Sequence, residues 1–235
     1  MLYTVHASAA PVYAREPVAY RGLTKADAAY AEIRARILSC DLPPGSVIEQ
    51  EPLANWLGAS TTPVREALRR LAAEQFVTLP AHSDARVAPV SVEEFEELHT
   101  VRLGLEPLAA GLAAEHADEG EIAAIRALLD AELPSDQPIE ADDRSRSLHR
   151  AIYVASGNRT LTQILDSTWD RISRYRVILA RAGLAATCHS LEHEAIVDAL
   201  AARDAPSASR RVREHLEATF RVILPAAREA IAAYR

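Results

Sequence analysis

Leu53-Ala54-Asn55-Trp56-Leu57-Gly58-Ala59-Ser60-Thr61-Thr62-Pro63-Val64-Arg65-Glu66-Ala67-Leu68-Arg69-Arg70-Leu71 carries two apolar seams separated by a glycine. Leu53 and Leu57 repeat at helical spacing, Gly58 suits the left-handed stop of a short helix, and Ala59-Ser60 fits a tight turn. A second helix is predicted over about Thr61 to Gln75. Pro63 is tolerated in its first turn, where no intrahelical N–H bond is lost. Leu53, Leu57, Val64, Leu68 and Leu71 form the seam between the two helices, and Arg65, Arg69 and Arg70 project away from it. Short polar residues lead the second helix, as needed to set its N-terminus against phosphates and base edges in a major groove. By periodicity alone the arginine stripe reads equally as a solvated face.

The flanks extend this pattern. Upstream, Thr24 and Asp27 make a capping box for a helix with Ala26, Tyr30, Ile33 and Ile37 on one face. Asp41-Leu42-Pro43-Pro44-Gly45 ends that helix, and the short helix then runs from Gln50 to Leu57. Downstream, β-prone runs at Phe76 to Leu79 and Arg86 to Val90 flank Pro80-Ala81-His82-Ser83-Asp84-Ala85. Helix, helix, tight turn, helix and hairpin is the order of a winged helix-turn-helix. From Ser91, whose capping partner is Glu94, helical spacing takes over at about 91–115, 118–133, 141–155, 160–183, 190–203 and 207–233. Phe95, Leu98, Val101, Leu105, Leu108 and Leu112 mark an apolar face on the first of these. Pro134 to Pro138 and Gly157-Asn158 are breaks, and Pro225 is expected to kink or end the last helix. The fold class is therefore mostly α. A loose tail (1–20) precedes a winged helix-turn-helix domain (21–90) and an all-helical bundle (91–235).

Composition agrees and excludes much else. The 235 residues are 49% hydrophobic and 25% charged, enough for buried cores and inconsistent with disorder as the main state. No run of 18 apolar residues exists and the N-terminus lacks a signal-peptide h-region, so no membrane partner is expected. Two cysteines, Cys40 and Cys188, are too few for a disulfide scaffold, which points to a reducing cytoplasm. Net charge is −7, and residues 91–235 supply all of it, with 17 basic against 24 acidic side chains. Residues 21–90 balance eight against eight. An acidic chain argues weakly against nucleic acid, so the basic stripe must carry any such interaction locally.

Ile33-x-x-x-Ile37, Leu42-Pro43-Pro44-Gly45, Leu53-Ala54 and the run from Thr62 to Leu71 resemble the GntR family of bacterial transcriptional regulators. The second half resembles the FCD-type helical effector domain of that family's fatty-acid-regulator branch. Its matching residues include Val101-Arg102, Leu105-Glu106, Leu148-His149, Ser156-Gly157-Asn158, Glu192-His193 and His215-Leu216. The resemblance implies a homodimer that binds double-stranded operator DNA and responds to a small metabolite. Thr61, Thr62, Arg65, Arg69 and Arg86 are the DNA-contacting candidates. Thr61 stands where the family commonly has Arg, and Ser83-Asp84 stand where it usually has a basic residue and Gly. Those departures imply a shifted operator sequence or weaker affinity.

His149, His193 and His215 each have apolar neighbours at helical spacing and should point inward. A single inward histidine is usually a hydrogen-bonded core residue. Three in one bundle share an explanation in a divalent transition metal, with Zn or Ni suited to neutral imidazoles. In metal-binding members of the resembled family an Asp stands four residues before the first histidine; here that position is Ser145. An open coordination position would suit a small carboxylate, neutralised by an inward arginine. Arg102, with Glu106 one turn on, Ser145 and Arg174 are the effector-binding candidates. The alternatives are a metal-free regulator with an acyl or apolar effector, and a metal-dependent small-molecule enzyme. No acid–base residue is matched to the enzyme reading, so no catalytic residue is expected.

Overall fold

The computed structural model describes residues 22–81, 84–130, 138–182 and 190–232. The 1–20 tail, the wing-tip residue Ser83, Cys188 and the break at residues 134–137 lie outside them. The chain divides into two compact units, one ending at Val90 and one spanning Ser91–Ala232.

In the first unit, α1 (Lys25–Leu38), α2 (Gln50–Trp56) and α3 (Thr61–Ala73) enclose one apolar core. Thr24 caps α1 by accepting the Asp27 N–H at 3.1 Å while its hydroxyl donates to the Asp27 carboxylate at 2.7 Å. Ile33, Ile37, Leu53, Val64, Leu68 and Leu71 are buried together, and Leu57 packs against them from the rim. Gly58 takes a φ of +61° at the turn, where an L side chain would be strained. Arg70 leaves the stripe: it pairs with Asp27 at 2.7 Å and lies over the Tyr30 ring at 4.1 Å.

The expected hairpin is a three-stranded sheet. β1 (Val47–Ile48), β2 (Val77–Thr78) and β3 (Ala85–Val87) are arranged with β3 in the middle, antiparallel to both neighbours. A two-residue strand has no readable alternation, and only its partner β3 defines it. The Pro43-Pro44-Gly45 turn delivers it: Gly45, at φ +78°, donates to the Val87 carbonyl at 3.0 Å.

The second unit packs α4 (Val92–His116), α5 (Glu119–Asp130), α6 (Pro138–Ala155), α7 (Arg159–Arg181), α8 (Ser190–Ala201) and α9 (Ala205–Ala232). Ser91 caps α4 by accepting the Glu94 N–H at 3.0 Å. Glu94 does not close the box itself. Its carboxylate is bound by Arg171 at 2.6 Å and by the Tyr175 hydroxyl, which in turn accepts the Ser91 N–H at 3.3 Å. Asn158 caps α7 through the Leu161 N–H at 3.1 Å. Gly111 lets α4 approach α9 closely, since a Cβ there would stand 2.7 Å from the Ser209 hydroxyl.

One expectation is narrowed and one corrected here. Of the two outcomes expected at Pro225, the helix does not end there: α9 continues through it to Ala232. A proline inside a helix costs about 3 kcal/mol, and burial of Ala227 and Ile231 beyond it offsets that loss. On α4, Val101 and Leu108 are 40% and 50% exposed, while Arg102 and Glu106 are buried. The helix turns this polar pair inward because each has buried partners there: they pair with each other, Glu106 contacts His149 and Arg102 lies over Trp169.

Candidate operator-reading face and metal centre

α3 presents its first turn outward. Ser60 is extended and makes no side-chain cap, and no acidic residue lies in that turn. Its leading N–H groups therefore have no side-chain carboxylate competing for them, as an anion at a helix N-terminus requires. Thr61 is half-buried and Thr62 exposed; Arg65 and Arg69 are exposed further along. Arg65 Nε donates to the Gln50 side chain at 2.9 Å, which holds it across the α2–α3 turn. Arg86 sits exposed on the central strand β3, with Nη1 donating to the Gly45 carbonyl at 3.3 Å. These five residues belong to the first unit, on α3 and the sheet.

In the second unit, three helices bring His149 (α6), His193 (α8) and His215 (α9) together, at 2%, 3% and 5% exposure. One ring nitrogen from each lies within 4.8 Å of the others. The Nε2 atoms of His193 and His215 are 3.2 Å apart. Two nitrogens bound tetrahedrally at the usual zinc distance would be separated by about 3.3 Å, so this spacing fits an ion. Two of the rings are aimed by carboxylates: His149 Nδ1 lies 2.9 Å from Glu106 Oε2, and His215 Nδ1 lies 2.8 Å from Glu192 Oε2. Such contacts fix the tautomer that turns Nε2 toward a metal. Burial lowers the His149 pKa against the opposing pull of Glu106, which keeps the ring neutral, as a ligand must be.

Glu106 is itself held. Arg102 Nε donates to its Oε1, and the guanidinium lies over Trp169 at 4.4 Å. Burial alone would raise the Glu106 pKa. The Arg102 charge and the His149 contact instead hold it down to about 2. Trp169 donates to the Tyr153 hydroxyl at 2.6 Å, completing a buried polar layer.

One turn along α4 from Glu106, a cavity of about 30 Å³ opens. Arg102, His99, Arg176 and Thr219 line it, with Phe95 and Phe220 among its apolar walls. Of the effector-binding candidates, Arg102 lies on this cavity. Ser145 is half-exposed on α6 one turn before His149, and Arg174 is fully buried with Nη2 3.5 Å from Glu94 Oε1. Neither lines the cavity. His99, Arg176 and Thr219 were not legible as site residues. Only the i, i+3 spacing of His99 from Arg102 hinted at one.

His99 stacks on Phe220 with ring centroids 3.7 Å apart. Burial, then the Arg102 charge, push its pKa down to about 4. Its folded value lies below the ordinary one near 6.5, so the unfolded chain binds more protons between pH 6.5 and 4. Stability is expected to fall as pH drops through that window. Chemical denaturation of the full chain at several pH values checks this, and His99→Leu should flatten the fall. An equally steep fall in the variant would assign the effect elsewhere.

A winged helix-turn-helix with an exposed arginine-bearing helix defines a DNA-binding regulator. Residues 25–85 match the family described as bacterial regulatory proteins, gntR family, and residues 97–218 match the FCD domain. The HTH-type transcriptional repressor GlaR of Escherichia coli (strain K12) is 29% identical over 199 residues, covering 80% of this chain and 90% of that protein. A probable D-xylose utilization operon transcriptional repressor of Paenarthrobacter nicotinovorans is 31% identical, covering 75% and 79%. The solved structure of E. coli McbR/YncC shares the fold, with a TM-score of 0.70 at 23% identity over 86% of this chain and 98% of that one. The chain belongs to the GntR family of transcriptional regulators, in the branch that carries an FCD domain. It is a DNA-binding regulator, and its relatives are regulators rather than enzymes. Among the described residues no helix is long and apolar enough to cross a membrane.

Proposed function

We propose that the protein is a homodimeric regulator whose affinity for an operator is set by a small organic acid bound in the helical unit, beside a divalent metal held by His149, His193 and His215. The convergence of three buried imidazoles, two of them aimed by carboxylates, carries this reading. Zn and Ni suit a set of neutral nitrogens. Ser145 contributes no charge, so three imidazoles leave open positions for water or a ligand carboxylate. Thr62 and the leading N–H groups of α3 engage phosphate, Thr61 reads bases weakly, and Arg65, Arg69 and Arg86 supply cations. One helix-turn-helix reads only a few base pairs, so two copies on a pseudo-palindrome supply the specificity.

A second reading rests on the 3.2 Å contact between His193 and His215. A shared proton satisfies both rings without an ion, which fits a metal-free regulator with an acyl or apolar effector. Metal content of untagged protein purified without chelator decides between the two.

The DNA reading is tested on the fragment upstream of the protein's own coding region by fluorescence anisotropy at several salt concentrations. Arg65→Ala is expected to weaken binding by about 1–3 kcal/mol if it pairs with a guanine. If it meets phosphate, the loss is uniform across sequences and the salt slope falls by about one per contact. Unchanged affinity and slope would remove Arg65 from the interface. No sequence preference at all would overturn the regulator's proposed mode of control.

A further inference from the structure

We propose that Gln50 is a positioning residue for base recognition: by taking the Nε–H of Arg65 it presents the guanidinium end-on to a guanine of the operator. This deepens the DNA reading above and rests on it.

A guanidinium has a side edge, formed by Nε and Nη2, and an end edge formed by the two Nη groups. Arg65 Nε donates to Gln50 Oε1 at 2.9 Å. The side edge is thereby engaged within the protein, and the end edge is left for a ligand. Its two parallel N–H donors match the O6 and N7 acceptors that guanine shows in the major groove. Arg65 lies one turn in from the start of α3 and is exposed. Residues near the N-terminus of a recognition helix are the ones that reach base edges.

The frame behind both residues is rigid. Leu53, three residues after Gln50, and Leu68, three after Arg65, are each 1% exposed and share one core with Ala54 and Val64. The turn between their helices is closed by the Ala59 N–H, which donates to the Ala54 carbonyl at 2.9 Å, and by Gly58 at φ +61°. Packed helices therefore hold the acceptor at a fixed place beside Arg65. Ordering a long side chain at an interface costs affinity, and a side chain aimed in advance avoids part of that cost.

The neighbouring arginines supply the contrast. Arg70 is engaged by Asp27 and the Tyr30 ring. Arg69, one turn beyond Arg65, is exposed and pairs with no described residue. An unaimed cation suits phosphate, which carries no sequence information; an aimed one suits a base.

The test selects binding sites from random DNA duplexes with full-length wild type, Arg65→Ala, Gln50→Ala and Gln50→Glu. Wild-type sites are expected to carry a guanine in each half-site that Arg65→Ala makes indifferent. Gln50→Ala should cut the preference for that guanine over adenine by about two- to ten-fold, the range for one side chain left unordered, and change no other position. A merely weakened fold would not produce a loss confined to one position. Gln50→Glu keeps an acceptor and should keep the preference, while its added charge lowers affinity for every sequence. In DNA-free protein, NMR should show the Arg65 Nε–H exchanging with water several-fold faster in Gln50→Ala than in wild type. Equal exchange rates would overturn the contact. A guanine preference that Arg65→Ala abolishes and Gln50→Ala leaves intact would overturn the positioning role alone. So would a loss spread evenly over all positions, or a Gln50→Glu variant that behaves like Gln50→Ala. If Arg65→Ala alters no position, the docking reading itself falls, and the role of Gln50 falls with it.

Discussion

Glu106→Ala is expected to destabilise the helical unit by about 3–5 kcal/mol, the usual cost of breaking a buried ion pair. Glu106 is 1% exposed and Arg102 is 7% exposed. Removing the carboxylate leaves the guanidinium over Trp169 without its charged partner. Urea unfolding followed by the circular dichroism of the full chain measures the loss. A change below about 1 kcal/mol would mean that the pair is solvated in solution, as surface ion pairs are. Because the Glu106 pKa is depressed to about 2, its contribution is complete above the ordinary value near 4.5 and is lost as pH falls toward 2. The same carboxylate aims His149. Glu106→Gln, which keeps the shape, is therefore expected to lower zinc affinity by about 10–100-fold.

The second large effect concerns metal loading. With free zinc at about 100 times its dissociation constant, the wild type should gain about 2.7 kcal/mol of stability. His193→Ala should lose that gain and the metal itself, read by elemental analysis and by melting with and without zinc. His193 is 3% exposed and faces His215, so its removal leaves two imidazoles, too few to hold an ion against competing water. Metal retained at full occupancy in the variant would place the ion elsewhere. A wild type that takes up none would favour the proton-sharing alternative.

These predictions draw on features of unequal legibility. The recognition helix was readable because α3 is short, has one narrow apolar face and sits between a glycine stop and a helix-breaking turn. The three histidines were readable because each has apolar residues three and four positions on. α4 was different: its apolar and polar residues are mixed around the whole helix, so its period could not say which side is buried. Val101 and Leu108 fit the expected stripe and face outward; Arg102 and Glu106 interrupt it and face inward. Helix α9 likewise continues past Pro225 because residues beyond it are anchored in the bundle.

Local sequence determined what local physics controls: the helix caps at Thr24, Ser91 and Asn158, the turn at Gly58, the arginine-bearing face of α3 and the inward histidines. Those depend on hydrogen bonds and periodicities within a few residues of each position. Tertiary structure alone decided the strand at Val47–Ile48, the approach of His193 to His215, the carboxylates behind two of the rings, and the cavity between α4, α7 and α9. Each of these joins residues distant in the chain, and the packing of whole helices sets their distances.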